Sequence, residues 1–566
     1  MKKAVTILLA LVLALGLCSV GWAEDCANGD SCTVHEAAIG EQHYATLAEA
    51  ITATKAGDTV KLLADAMGVD ITGPGDRMVT IDLNGHNLTG RITKDHDLTI
   101  TDSSEGKAGS ATFEYIRCNA LYLNGGTVVI TDAEIIHALY VNGANVTIND
   151  GEYKLGGAPT DHTKAINVLG GSLTINSGVF QTKDNLEKDG VKAVKCSDNW
   201  YVVGKTTQDE YHTVQAETEE GNLYFHDLYT AVKAAGDGET ITLLGDQTIS
   251  KQIAVDKSLT IDGNGHKISL AGNVENGIST NYAHGVFQFS GDGKTAAMKN
   301  LTFKDINIAS VLIRAYNTGS NSSLTVDGCT FDNVKAINVV RGSSSTAVNC
   351  ALKVTNCVFK DCKTITNGNG VVQIDNGSTN AADNEIKNNS FIGNEVKPEG
   401  NAAVIYLSAP ATVQNNCFEG NKTIAQDGKK NGIVVTGSNA GASTIKENAF
   451  VSHTFTNGDA QGAIYGAAST TTVDNNYYGS GIDHAVKAGE GFAEGKVASS
   501  YNKNAGAGAS VSSGSSGKYY YTKPSTDAAK EETKGSPKTF DAGVGVYAVT
   551  AVLSIGGMAW TAKKRH

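Results

Sequence analysis

Arg314, Arg341 and Asp375 each stand at the end of a β-branched run, VLIR, VVR and VQID. The chain holds six arginines, so two at equivalent ends of neighbouring runs single this place out. Their chemistry is recognition of an acidic or hydroxyl-rich ligand, because a guanidinium fork meets a carboxylate in two parallel hydrogen bonds. The same three side chains, without a ligand, would form a salt-bridged ladder. His284 and Tyr316 lie close by in sequence. A lyase would need a proton acceptor at such a place, and commonly a Ca2+ held by acidic groups from neighbouring strands. Glycoside hydrolysis needs two carboxylates facing one groove. No Asp-Asp pair or G-H-G segment occurs to supply it. P-loop, G-x-S-x-G, H-E-x-x-H and EF-hand patterns are also absent from the sequence. No catalytic residue, metal site or resident cofactor is assigned, and Ca2+ enters only with the lyase alternative.

Thiols are the second candidates. Cys417 lies in ATVQNNCFEGN, residues 411–421, where a lone cysteine invites a nucleophile reading. Near the start, CANGDSCTVH brings Cys26, Cys32 and His35 together. These leave a local disulfide, two unpaired thiols, or a metal site one ligand short of a structural zinc set. Whether Cys417 does chemistry depends on what else in the chain resembles its surroundings.

A large duplication is visible. YATLAEAI…VKLLAD…VTIDLNGHNL starts at Tyr44, and FHDLYTAV…ITLLGD…LTIDGNGHKI starts at Phe225. Each copy opens with a short amphipathic helix, with Leu47, Ala50 and Ile51 on one face in the first. His86 and His266 occupy matching NGH positions, which points to a turn or packing role. Within the second copy an apolar residue is followed five positions later by an aromatic. The aromatics are Phe303, Phe331, Phe359, Phe391, Phe418, Phe450 and Tyr478, spaced 28, 28, 32, 27, 32 and 28 residues. A looser form in the first copy is Ile130/Ile135, Ile148/Tyr153 and Ile175/Phe180. Short β-branched strands at this period predict a coil of stacked parallel strands, since one turn cannot bury its inner face alone.

Stacking aligns equivalent residues in columns about 4.8 Å apart. Two positions before each aromatic the column reads Leu301, Cys329, Cys357, Asn389, Asn416, Asn448, Asn476. Asparagines stacked at a bend bond to one another and to local backbone. Cys329 and Cys357 fall one rung apart, within the span a disulfide accepts, and stacked thiols are the alternative. One position before the aromatic, Cys417 falls in the column Thr302, Thr330, Val358, Ser390, Cys417, Ala449, Tyr477.

The repeated V-x-N-N-x-F pattern and the paired NGH units resemble the right-handed parallel β-helix proteins of the pectate-lyase-like superfamily, over residues 44–480. DNNYYGSG, residues 474–481, is similar to the last-coil element of adhesin-type helices. The resemblance implies an all-β chain of two tandem right-handed parallel β-helices, each opened by a short capping helix. The superfamily hosts lyases, hydrolases and non-enzymatic adhesins, so the fold does not choose among them.

The two ends predict a body held outside the cell. MKKAVTILLALVLALGLCSVGWA has the charge, apolar run and small residues of a secretory signal peptide. Residues 542–562 form 21 uncharged residues, followed by Lys563, Lys564 and Arg565, which suits a membrane span with its tail inside. Ser536, Pro537, Lys538, Thr539 and Phe540 precede it. This order resembles the sorting signal of Gram-positive surface proteins, which implies sortase and peptidoglycan as partners. Ser536 stands where that signal carries Leu, and Phe540 where it carries Gly; a retained membrane span is the alternative.

The expected organisation is signal peptide 1–23, Cys-containing segment 24–43, first β-helix 44–205, second β-helix 206–490, flexible stalk 491–535, and sorting motif with transmembrane helix and basic tail 536–566. A formal charge of −13 disfavours nucleic acid as a partner. The expected function is a cell-surface, non-catalytic adhesin or glycan-binding protein for host or dietary glycans. An extracellular polysaccharide lyase and a purely structural spacer are the alternatives.

Overall fold

The computed structural model describes residues 35–522, apart from 73–77, 156–163, 272–284, 317–320, 344–350, 366–367, 376–382, 441, 458–459, 468–470, 475, 479–481, 483–485, 489–509 and 514–518. The signal peptide, Cys26, Cys32, the 536–540 motif and the 542–562 span lie outside these residues. Among the described residues no helix is long and apolar enough to cross a membrane. The chain is all-β, with parallel strands curled in sheets, consistent with a β-helix. It divides into two compact units. One contains Met1–His212 with Thr218–His226, and the other Thr213–Glu217 with Asp227–His566.

Among the described residues each unit carries one short α-helix, α1 (Leu47–Ala53) and α2 (Leu228–Ala234). Thr46 and Asp227 cap them, each side chain accepting from a backbone N–H three residues on. Leu47, Ala50 and Ile51 are buried as their spacing requires. At the other end of α2, Lys257 Nζ donates to the carbonyls of Val232 and Ala235, a cation at a helix C-terminus.

The NGH units are turns, and they match in both copies. Asn84 and Asn264 take φ of 47° and 50°, and Gly85 and Gly265 take 82° and 84°. Asparagine tolerates this left-handed region and glycine enters it at no steric cost. His86 and His266 each place Nδ1 3.5 Å from an aspartate, Asp65 and Asp246 respectively. The repeated histidine therefore fixes a turn.

In the first unit, inward columns run Val79, Leu98, Leu121, Leu139, Ile166 on one side. On a second side they run Ile130, Ile148, Ile175, and on a third Ile135, Tyr153, Phe180. Tyr153 and Phe180 stack with centroids 5.0 Å apart. The parallel run ends in an antiparallel hairpin, Val191–Ser197 with Trp200–Lys205.

The second unit repeats three strands per coil. The inward column of its first sheet reads Ile241, Ile261, Met298, Val326, Val354, Ile386, Val413, Ile445, Val473. A tight corner leads to the second sheet, whose inward column is the aromatic series. From Phe303 to Tyr478 successive rings stack with centroids 4.7–5.4 Å apart. The third sheet contains Gly285–Phe289, Val311–Tyr316, Val340–Ser343, Gly370–Asp375, Ala402–Leu407, Lys430–Thr436, Ala460–Ala467 and Val486–Ala488.

The corner column holds the coils in register. Asn389 Nδ2 donates to Asn416 Oδ1, Asn416 to Asn448 and Asn448 to Asn476, each at 2.9 Å. The same Oδ1 atoms also accept the preceding asparagine's backbone N–H at 3.0 Å. The left-handed residue is the one before, at Asn356, Asn388, Asn415 and Glu447. In N-N-x-F the first asparagine thus makes the bend and the second joins the column.

Cys329 and Cys357 are thiols in this column, and no disulfide joins them. Cys357 Sγ donates to Val326 O at 3.4 Å, as Asn389 Nδ2 donates to Val354 O one rung on. The thiol stands in for the amide, which is why the two sulfurs do not turn to each other.

A second corner column went unread in the sequence: Ile306, Val334, Cys362, Asn394, Asn421. Asn394 Nδ2 donates to Asn421 Oδ1 at 2.8 Å. His453 takes the next place. Its Nε2 meets Thr423 Oγ1 at 2.9 Å, while Nδ1 is buried without a partner. Burial pulls the imidazole down to about 3, so it is neutral. The unfolded chain takes up this proton near pH 6.5, so the folded state loses about 1.4 kcal/mol per pH unit from there down to the folded value. His453→Asn should remove that loss. Urea midpoints at pH 7 and pH 5 should then differ less than in the unsubstituted chain, and an unchanged difference contradicts the assignment.

Candidate functional site

The third sheet presents the candidate residues. Its inward column is Phe287, Ile313, Val340, Val372, Ile405, Val434, Ile464, all fully buried. Side chains alternate along a strand, so the next residue of each strand faces outward. That column reads Gln288, Arg314, Arg341, Gln373, Tyr406, Val435, Tyr465. Arg314 and Arg341 are therefore direct neighbours, as their equivalent positions predict. Asp375 is not in their line. Gln373 occupies the next rung, and Asp375 sits two residues further along, in the column Tyr316, Ser343, Asp375. Alignment of VVR and VQID by their ends hides this two-residue offset, because the strands differ in length. His284 lies outside the described residues.

The two arginines have different surroundings. Arg341 Nη2 meets Asp375 Oδ2 at 2.6 Å and its Nε meets Oδ1 at 3.5 Å, with both side chains 23% exposed. Gln373 Nε2 donates to the same Oδ2 at 3.3 Å. Asn338 Nδ2 in turn donates to Gln373 Oε1 at 3.2 Å, which orients that amide. Arg314 is only 7% exposed. Its Nε donates to Ser343 Oγ at 2.8 Å and its guanidinium lies 4.5 Å from the Tyr316 ring centre. Its Nη1 is buried and has no acceptor.

A buried cationic donor without an acceptor is costly. Here burial first, and then the Arg341 charge one rung away, pull the guanidinium down to about 10. At neutral pH it stays protonated. Arg314 is therefore a donor, and it does not serve as a proton acceptor there. Among the described residues, two guanidiniums and one carboxylate leave a net positive charge, with the open hydrogen bond on the Arg314 side. The arrangement is half ladder, between Arg341 and Asp375, and half vacant donor, at Arg314.

Cys417 is not placed as a nucleophile would be. It is 1% exposed, and burial pushes its thiol far above the ordinary range, whereas a reactive cysteine needs an accessible thiolate. The strand register places it between Ser390 and Ala449, in the column read from the sequence. Among the described residues no group of three or more His, Cys, Asp or Glu side chains is arranged to hold a metal ion. No family model, curated protein or solved structure matches the chain.

The unbalanced guanidinium makes a stability prediction. Arg314→Met, measured without ligand, should leave the urea midpoint unchanged or raise it, because it removes an unsatisfied buried cation. Arg341→Met strips Asp375 of its partner and should lower stability by about 1–2 kcal/mol. A large loss in Arg314→Met would mean that its donors are already satisfied.

Proposed function

We propose that this is an exported, wall-attached protein of two tandem right-handed parallel β-helices that binds a carboxylate-bearing extracellular glycan without turning it over. The single observation that carries the binding reading is the buried Arg314 Nη1, a charged donor with no acceptor, beside Arg341 on the outer face of the third sheet. A carboxylate supplies both the missing acceptor and the missing negative charge. Tyr316 and Tyr406, in the adjoining outward positions, offer ring surfaces of the kind sugars pack against. Signal peptide, basic tail and the 536–540 motif support export and attachment through sortase to peptidoglycan. Host or dietary polysaccharides carrying uronate groups are the ligands this chemistry suits.

The test is a glycan array with residues 24–535, followed by titration and a product assay on each hit. Uronate-containing glycans should bind, and the same glycans with esterified carboxylates should bind poorly. Arg314→Met should weaken binding by about ten- to hundredfold, the equivalent of the 1.5–3 kcal/mol of a charged hydrogen bond. Equal binding of the esterified forms removes the reading. Release of unsaturated sugars, dependent on Ca2+, replaces it with lyase chemistry, and absence of any binding leaves the spacer.

A further inference from the structure

The outer face of the third sheet carries a second cation without a counter-charge. Lys430 opens the strand Lys430–Thr436, four rungs on from Arg314. Its Nζ donates to Thr436 O at 3.0 Å and lies 5.7 Å from the Tyr465 ring centre. An ammonium has three donors, and among the described residues no carboxylate pairs with this one. Burial lowers its pKa, as it does that of Arg314. The two places are built alike. Each cation gives a hydrogen bond to an uncharged oxygen, Ser343 Oγ or Thr436 O, and each lies beside a tyrosine ring, Tyr316 or Tyr465.

What lies between them suits a chain of sugars better than a single one. From Arg314 to Tyr465 the outward column runs through Arg341, Gln373, Tyr406 and Val435, and it contains no acidic residue. Asp375, one column aside, is taken up by Arg341. Tyr406 stands between the two cations, its hydroxyl held by Asn401 Nδ2 at 3.3 Å. At about 4.8 Å per rung, the four rungs from Arg314 to Val435 cover about 19 Å, and Tyr465 lies one rung further. One carboxylate cannot meet two cations so far apart. A linear polyanion laid along the stack can, and its second contact is made within one complex.

We propose that Lys430 is a second anchor of the glycan site, and that the ligand is a linear polyuronate of several sugars running along the third sheet from Arg314 to Tyr465. The inference rests on the carboxylate reading of Arg314 and adds length to what the site selects. Arg314 takes one carboxylate, and Lys430 takes another from the same chain. Tyr406 and Tyr465 support the sugars along the way. A lone terminal uronate satisfies Arg314 and gains nothing from Lys430.

The experiment is a calorimetric titration of the intact protein with trigalacturonate and with octagalacturonate. The octamer should bind about ten- to hundredfold more tightly than the trimer, the worth of one more charged hydrogen bond. Lys430→Met keeps the apolar stem. It should bring the octamer down to the affinity of the trimer and leave the trimer unchanged, which also shows that the variant is folded. Arg314→Met should weaken both oligomers. Equal affinities of trimer and octamer, both weakened by Arg314→Met, overturn the second anchor and leave the carboxylate reading standing. A preference for length that survives Lys430→Met overturns the anchor too, since the added contact then lies elsewhere. If Lys430→Met loses the trimer as well, Lys430→Arg decides. It should recover the preference for length because it keeps the charge, and failure to recover it overturns the anchor. Binding of neither oligomer by the unsubstituted protein ends both readings.

Discussion

One turn of this chain cannot bury its own inner face, and everything else follows from that constraint. Each coil offers short β-branched strands whose inner side chains are covered only by the coils before and after. Parallel pairing at a fixed rung spacing then forces like residues into contact. Phenylalanine stacks on phenylalanine from Phe303 to Phe450. Asparagine bonds to asparagine at two corners, where backbone N–H groups would otherwise be buried without acceptors. The interior is therefore repetitive by necessity, and variation is confined to outward positions and to the turns.

That division explains what the sequence could convey. The aromatic column, the first asparagine column, the place of Cys417 and the face of α1 were all legible because an inward residue repeats with the coil. The second asparagine column was missed because only Asn394 and Asn421 belong to it, with Val334, Cys362 and His453 in the other places. Its signal was the left-handed residue before each member, Asn333, Asp361, Gly393, Gly420 and Ser452, but several residue types fill that position. The offset of Asp375 from the arginines was hidden for a related reason: strand ends vary between coils even when strand centres hold register. The thiol pair Cys329 and Cys357 satisfied the distance condition for a disulfide. The decisive fact, that Cys329 Sγ donates to Met298 O and Cys357 Sγ to Val326 O, each one rung away, is a contact no spacing reveals.

Outward faces carry what is specific to this protein. The first sheet of the second unit presents opposed charges on successive rungs, as Lys353 and Glu385 do at 3.7 Å, which suits a solvated surface. The second sheet presents the small residues Ser390, Cys417 and Ala449 on successive rungs. The third presents a buried guanidinium at a cost in stability. Residues kept at such a cost are where binding sites are found.

The central claim is that Arg314 Nη1 is the vacant half of a carboxylate site. A diffraction structure of the chain bound to an oligouronate tests it most directly. The account predicts a ligand carboxylate oxygen at about 2.7–2.9 Å from Arg314 Nη1, with Arg341 still paired to Asp375. A ligand held elsewhere, or a carboxylate that reaches the sheet without touching Arg314, would contradict it.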